Sequence, residues 1–424
     1  MTGTVADPVT GSGLPSGPAY DLLSEQVCAD PHALLRRMRA EDPVHWSTQL
    51  NAWVLTRYAD IVEALKDPRL TAARMVGQLD RLPDEQRRQV EPLRSSIAMW
   101  MGHTNPTDHV RMQRVIKRYF TPNTVEALRP QAQEITDELI DGFAARGECE
   151  IVSELARPLP ARVIAGMLGV PPEDRDLLPS WSRDISAVFR PLDLPSVLHS
   201  QQSILEMSEY LRPLVAARRR HPQDDLISML VAAQEQGSIH SEDEILANCV
   251  LLLFAGHETT VGLVSKGLHL LLTHPDQLEL LLAKPELLPS AIEEMLRYDG
   301  PAAATTRLAE APVELAGKSI EAHQLLFIVL AAGNHDPAQC PDPDRFDIAR
   351  GARHLAFGQG TFYCLGAALA RMEAQVCFST MFRRMRDLRP HPAGASWERQ
   401  TLFSRALTAL PVTFAATDES PATD

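Results

Sequence analysis

The stretch best equipped for chemistry is Phe357-Gly358-Gln359-Gly360-Thr361-Phe362-Tyr363-Cys364-Leu365-Gly366, followed by Ala367, Ala368, Leu369 and Ala370. Two glycines within three residues permit a tight, bulged turn with inward-pointing amides, and the alanine-rich run predicts a helix. Cys364 then lies just ahead of a helix N-terminus. Unpaired amides and the positive end of the helix dipole favour a thiolate there, able to act as a nucleophile or a metal ligand. Gly366 leaves space for something flat to lie against the backbone. A lone cysteine among apolar residues is more often an inert core thiol, so the weight rests on the pattern around it.

A second stretch pairs a carboxylate with a hydroxyl. The capping box Ser241-Glu242-Asp243-Glu244 opens a helical pattern that continues without proline to His274-Pro275. This predicts a helix on the order of 50 Å. Near its middle lies Ala255-Gly256-His257-Glu258-Thr259-Thr260. A glycine and two threonines are costly in a buried helix, and threonine hydroxyls compete for backbone carbonyls, which predicts a local widening or kink. Rule-breaking of this kind marks functional sites.

The elements that must position these stretches follow from pattern. Helices are predicted through Leu34–Met38, Tyr58–Leu65, His109–Phe120, Thr121–Arg146, Ala161–Leu168, Ser203–Arg219, Ser290–Tyr298 and from Ala367 towards Arg386. Strands are predicted at Val44–Trp46, Ala52–Thr56, Leu325–Leu330 and within Leu402–Phe414, with a hairpin around Ala316-Gly317. The segment from Arg74 to Thr104 is irregular, either a pocket cover or a surface connection, and Pro191 and Pro195 predict a loop between Phe189 and His199. On the His109 helix, His109 and Gln113 share one face while Arg111, Arg114 and Arg118, with Lys117, form a basic stripe. Glu294 and Arg297, one turn apart, could pair, ordinarily as a surface ion pair.

Composition sets the outer bounds. The 424 residues suffice for a large core, and with 45% hydrophobic and 23% charged residues the chain is of ordinary globular type. Length alone suggests roughly two to four domains, yet no linker divides the chain. Net charge of −14 argues against general nucleic-acid affinity. The six cysteines (Cys28, Cys149, Cys249, Cys340, Cys364, Cys377) form no Cys-x-x-Cys pair, as expected for reduced thiols in a reducing compartment. Met1–Pro18 resembles a disordered leader, not a signal peptide, and no apolar run approaches the roughly 20 residues needed to span a bilayer. A soluble, cytoplasmic protein without membrane contact is expected.

Phe-Gly-x-Gly-x-x-x-Cys-x-Gly running into Ala-Ala-Leu-Ala-Arg resembles the haem-ligand signature of the cytochrome P-450 family. The Ala-Gly-His-Glu-Thr-Thr helix, Glu294-x-x-Arg297 and Arg345 in a Pro-Asp-Arg-Phe context follow the order of soluble bacterial members, over about Asp30 to Phe414. The resemblance implies a mainly α fold, a triangular helical domain with a smaller β-rich lobe. It spans residues 19–415 as one haem-thiolate domain between a disordered leader (1–18) and tail (416–424). It implies haem b with iron held by the Cys364 thiolate, which pushes electron density towards O–O cleavage. Glu258 and Thr259 match the family's acid and alcohol, needed because two protons must reach the distal oxygen before water leaves. His109 and Arg307 match positions that bind haem propionates, and Phe357, Gly358, Gly366 and Ala255 match haem contacts. Glu294, Arg297 and Arg345 match a structural ion-pair network.

Two positions depart from the family pattern: Gln113 replaces a common arginine, and Phe362 a common histidine or arginine two residues before the cysteine. One propionate is therefore expected to be held less firmly, or Tyr363 or a water to compensate. The resemblance places Arg74–Thr104, Cys249–Ala255, Ala302–Thr305 and Leu402–Ser404 around a small organic substrate. It implies O2 as oxidant and electrons from a ferredoxin and its NAD(P)H-dependent reductase, docking near the basic stripe and Arg371. The expected activity is hydroxylation or epoxidation of a natural product. The alternatives are the same haem chemistry diverted to ring closure, C–C or C–N coupling or desaturation and, more remotely, a haem sensor or carrier.

Overall fold

The computed structural model describes residues 20–24, 27, 30–72, 74–186, 188, 193–351, 353–398 and 406–416. The expected leader, the tail beyond Ala416, Cys28 and the Leu402–Ser404 pocket segment lie outside the described residues. Helices dominate, as expected, and the strands form small sheets. The largest sheet has the order Val44–Ser47, Ala52–Leu55, Leu325–Ile328, Thr305–Ala309, Leu70–Thr71. Trp46, Trp53, Leu55, Leu326 and Ile328 give it an apolar core of its own, separate from the much larger helical one. Ala316 and Gly317, both at positive φ (49° and 73°), turn the predicted hairpin between Val313–Leu315 and Lys318–Ile320.

The helical core is built on the long helix Glu242–Thr273. Ser241 caps it by accepting from the Glu244 amide (3.1 Å), while the Glu244 carboxylate accepts from the His240 amide (2.7 Å), one residue earlier than in the usual reciprocal box. By length and composition this helix could cross a bilayer, contrary to the sequence expectation, but 67% of its apolar stretch is buried inside the protein. Between Glu244 and Leu271 only Ala255 and Thr259 are exposed. Four apart, they share one face, so an otherwise enclosed helix uncovers a single patch. The expected widening is not seen. The helix is unbroken, with Thr259 Oγ1 donating to the Ala255 carbonyl (2.9 Å) and Thr260 Oγ1 to that of Gly256 (3.2 Å), so the hydroxyls share the carbonyls without opening the turn.

The helix after the cysteine, Ala367–Arg384, runs alongside the long helix in the same direction. Glu373 sits beside Thr260, and a Cβ on Gly267 would come within 2.7 Å of Met295 Sδ and 3.1 Å of Phe378. Extended back towards its start, this register brings the cysteine loop near the exposed Ala255–Thr259 patch.

Prolines explain the remaining differences. The single helix expected from Thr121 to Arg146 is two, Pro122–Ala127 and Arg129–Ala144, because Pro130 lacks the amide to continue the first. Pro195, read as part of a loop, occupies the first turn of Leu194–Arg220, capped by Asp193 accepting from Ser196 (3.0 Å). The irregular Arg74–Thr104 segment contains three short helices, Arg74–Asp80, Asp84–Gln89 and Glu91–Ala98. Buried Asn248 clasps its end to the long helix, donating to the Met99 carbonyl and accepting from the Met101 amide (both 2.8 Å).

Candidate active site

The cysteine loop is closed by the Cys364 amide donating to the Phe357 carbonyl (2.9 Å). Gly358 and Gly360 take positive φ (69° and 71°), and a Cβ on Gly360 would lie 2.6 Å from the Leu65 carbonyl oxygen, so only glycine fits there. From behind, the Arg371 guanidinium stacks 4.5 Å from the Phe357 ring and is held by Glu293 (2.6 and 2.7 Å). Glu293 also meets His354 (3.0 Å). Against the cost of burial, Arg371 and His354 together hold its carboxyl down to about 2.

Among the described cysteines only Cys364 is exposed; Cys149, Cys249, Cys340 and Cys377 are buried. It nonetheless lies in a recess with dense protein around it. Burial pushes its thiol up, outweighing the Gly366 amide and the Arg371 charge that favour the thiolate. The helix terminus therefore does not by itself deprotonate the sulfur, contrary to the sequence expectation, whereas coordination to a metal does.

Three predicted residues meet at one edge of this loop. His109, on the helix Pro106–Ile116, has Nδ1 2.7 Å from the Met101 carbonyl and Nε2 3.2 Å from that of Thr361. Its ring lies 4.3 Å from that of Phe362, whose other neighbour is the Arg307 guanidinium, 4.8 Å from the ring centroid. Arg307 is buried and donates to Thr305 Oγ1 (3.1 Å) and the Thr306 carbonyl (2.8 Å). No carboxylate among the described residues pairs with it, and burial lowers its guanidinium to about 10. Its Nε and the Nε1 of fully buried Trp100 have no partner. A buried cation and orphaned donors near an exposed cysteine are what the acid groups of a haem would satisfy, so the residues fit that cofactor. Gln113 instead donates to the Thr361 carbonyl (2.9 Å), holding the loop. Tyr363 is 46% exposed and hydrogen-bonds Arg371, so it does not stand in for the missing basic residue.

On the long helix, exposed Thr259 shares a face with Ala255, while Glu258 points to a flanking cavity of about 580 Å³ that it shares with Arg157, Arg183 and His199. Arg157, just before the helix Pro158–Leu168, reaches Glu258 Oε1 at 3.4 Å. Sequence reasoning missed Arg157, since 101 residues separate the two. Of the expected pocket wall, Cys249–Leu253 is buried core, whereas Ala302–Thr305 is partly exposed.

Three expectations about arginines need correction. Arg297 does pair with Glu294 (2.7 Å), but wholly buried, and the further arginine on Glu294 is Arg350 (3.2 Å). Arg345 is instead an exposed side chain 3.8 Å from Asp347 that contributes only its carbonyl to Arg297 and Arg350. The basic stripe is broken as well. Arg111 is tied to Asp108 (2.9 Å) and Glu244 (2.5 Å), leaving Arg114, Lys117 and Arg118 exposed.

A helical protein that presents an open cysteine from a glycine loop, at the start of a helix packed along its core helix and beside an unneutralised arginine, is of the haem-thiolate class. Comparison with known proteins agrees. The family model described as Cytochrome P450 matches residues 196–283 and 279–401. Cytochrome P450 107B1 of Saccharopolyspora erythraea is 39% identical over 411 residues, covering 94% of this chain and 98% of that protein. Cytochrome P450 monooxygenase PikC of Streptomyces venezuelae is 38% identical, covering 94% of both. Among solved structures, the cytochrome P450 enzyme CxnD for C–S bond formation in chuangxinmycin biosynthesis superposes with a TM-score of 0.81 at 36% identity, covering 91% of this chain and 94% of that one. The chain belongs to the cytochrome P450 family. It is a monooxygenase whose cofactor is haem b with the Cys364 thiolate as axial ligand.

Proposed function

We propose that this enzyme inserts one oxygen atom from O2 into a C–H or C=C bond of a small natural product, within one haem-thiolate domain of the cytoplasm. The observation that carries the reading is the exposed Ala255–Thr259 patch on a helix packed alongside the one that follows the open cysteine. When bound, haem supplies the activation of O2; the chain's own residues do the rest. His109 and Arg307 hold its acid groups, while Phe357, Gly358, Gly366 and Ala255 shape the faces it lies against. Thr259, its hydrogen donated to the Ala255 carbonyl, presents an oxygen that accepts from a water and orients it. Glu258 collects protons from the solvent of the flanking cavity and hands them on towards that water. The partly exposed Ala302–Thr305 run leaves room for a bulky substrate. A ferredoxin with its reductase supplies electrons, docking over Arg114, Lys117 and Arg118. Arg111 and Arg371 are already engaged by acids, which removes them from the expected docking set.

The test is the absorption spectrum of the reduced protein under carbon monoxide. The expected result is the long-wavelength Soret band of a thiolate-ligated ferrous carbonyl, lost in Cys364→Ser. A spectrum like that of a histidine-ligated globin would overturn the reading. The resemblance to CxnD favours a second outcome on the same cofactor, bond coupling in place of oxygen insertion, which product analysis under labelled O2 distinguishes.

Phe362 sits between His109 and Arg307 without a donor of its own. Phe362→His adds a hydrogen bond to a charged group, so haem transfer to an acceptor protein is expected to slow by about tenfold. An unchanged rate would show that the two existing donors already saturate the site.

A further inference from the structure

We propose that His257 is a positioning residue for Glu258: its Nδ1 is the acceptor that holds Glu258 in its protonated, donor form, while Arg157 holds the carboxylate form. This rests on Glu258 being the proton donor proposed above.

His257 is 1% exposed, and its Nε2 lies 3.0 Å from the Arg157 carbonyl. A carbonyl only accepts, so Nε2 carries the hydrogen. Burial lowers the imidazole to about 4, aided by the charges of Arg157 and Arg183 and opposed by the Arg157 carbonyl, so the ring is neutral at ordinary pH. Nδ1 is then a lone pair. It has no hydrogen-bond partner among the described residues and lies 3.6 Å from Glu258 Oε1.

That oxygen is also 3.4 Å from Arg157 Nη1. It therefore stands between a guanidinium, which favours the carboxylate, and a lone pair, which repels it. A proton on Glu258 reverses the preference, because O–H donates to Nδ1 and the repulsion becomes a hydrogen bond. One residue anchors both alternatives, Arg157 fixing the imidazole with its carbonyl and the carboxylate with its side chain. After Glu258 gives up its proton towards Thr259, Arg157 takes the carboxylate, and a fresh proton from the cavity returns it to His257. The other charged groups facing this cavity are Arg183, Asp184, His199 and Glu398, with His199 and Asp184 3.4 Å apart. The imidazole stays neutral throughout, so no proton passes through it.

The test is infrared spectroscopy of the ferric holoprotein across pH, with the Glu258 carboxyl band assigned by its loss in Glu258→Gln. His257→Phe is expected to raise the frequency of that band, as a lost hydrogen bond does, and to move its titration to lower pH. His257→Asn, whose Oδ1 replaces Nδ1 as acceptor, is expected to restore both. His257→Gln, which keeps only a donor towards Arg157, is expected to restore neither. An unchanged band and midpoint in His257→Phe would overturn the proposal, as would rescue by glutamine and not asparagine. Failure of the relay itself is read separately: Glu258→Gln that releases no more hydrogen peroxide during NAD(P)H oxidation would remove Glu258 from proton delivery while leaving the infrared result intact.

Discussion

Arg297→Met is expected to lose about 3–5 kcal/mol of stability, the cost of breaking a buried ion pair by removing one member. Neither the Arg297 nor the Glu294 side chain is more than 1% exposed, and two nitrogens of the guanidinium meet two oxygens of the carboxylate at 2.7 and 2.9 Å. The same guanidinium donates to the carbonyls of Asn334 (3.0 Å), Pro343 (2.8 Å) and Arg345 (3.3 Å). The side chain of Asn334 in turn accepts from the Leu355 amide (2.7 Å), just before the cysteine loop. Losing Arg297 therefore leaves the Glu294 carboxylate with Arg350 and the Asp347 amide alone, strands the carbonyls of Asn334 and Pro343 and loosens the segment that carries Cys364. Urea denaturation gives the stability, and haem retention reports the loop. Adding Glu294→Leu is expected to recover part of the loss, because the under-paired buried carboxylate goes while the carbonyls of Asn334 and Pro343 stay unpaired. A single variant within about 1 kcal/mol of the parent would show the pair to be replaceable.

What the sequence makes legible divides along physical lines. The cysteine loop and the cap at Ser241 are readable because their chemistry is local: a positive φ at Gly360 or an oxygen three residues before an amide needs no knowledge of the rest of the chain. Burial is not local. Glu294 and Arg297 one turn apart look like a surface pair, and only packing reveals a sealed one. Whether Arg345 or Arg350 reaches Glu294 depends on the path of a coil that no periodicity records. Arg111 belongs to a basic stripe on its own helix, yet it is consumed by Glu244 from another. Cys249–Leu253, assigned to the pocket by the family resemblance, covers more than a full helical turn and is buried on every side; the open face begins at Ala255. Glu258 and Thr259 were visible as a pair, but Arg157, 3.4 Å from Glu258 Oε1, could be found only in three dimensions.

Glu373 carries the other large effect. It lies in the interface between the cysteine helix and the long helix, 1% exposed, with no hydrogen-bond partner for either oxygen among the described residues. The neighbouring Thr260 already donates its hydroxyl to Gly256. Burial pushes the carboxyl up from 4.5 to about 8, with only Thr260 opposing. Between those values the folded protein keeps a proton that the unfolded chain has released. The folded state binds more protons, so stability falls as pH rises through this window, by about 5 kcal/mol at about 1.4 kcal/mol per pH unit. The stabilising, protonated form is fully present below the unfolded value and is lost as pH passes the folded one. Glu373→Gln cannot ionise and loses this slope. It should be slightly less stable than the parent near pH 4.5, because the amide brings donors with no acceptor, and several kcal/mol more stable at pH 9. Urea midpoints at pH 5, 7 and 9 check this, and parallel curves for the two proteins would sink it. Buried Cys377, whose thiol is also pushed up by burial, keeps the same neutrality. A neutral interface here leaves the charged pair of Glu258 and Arg157 on the opposite flank of the helix, where the cavity reaches them.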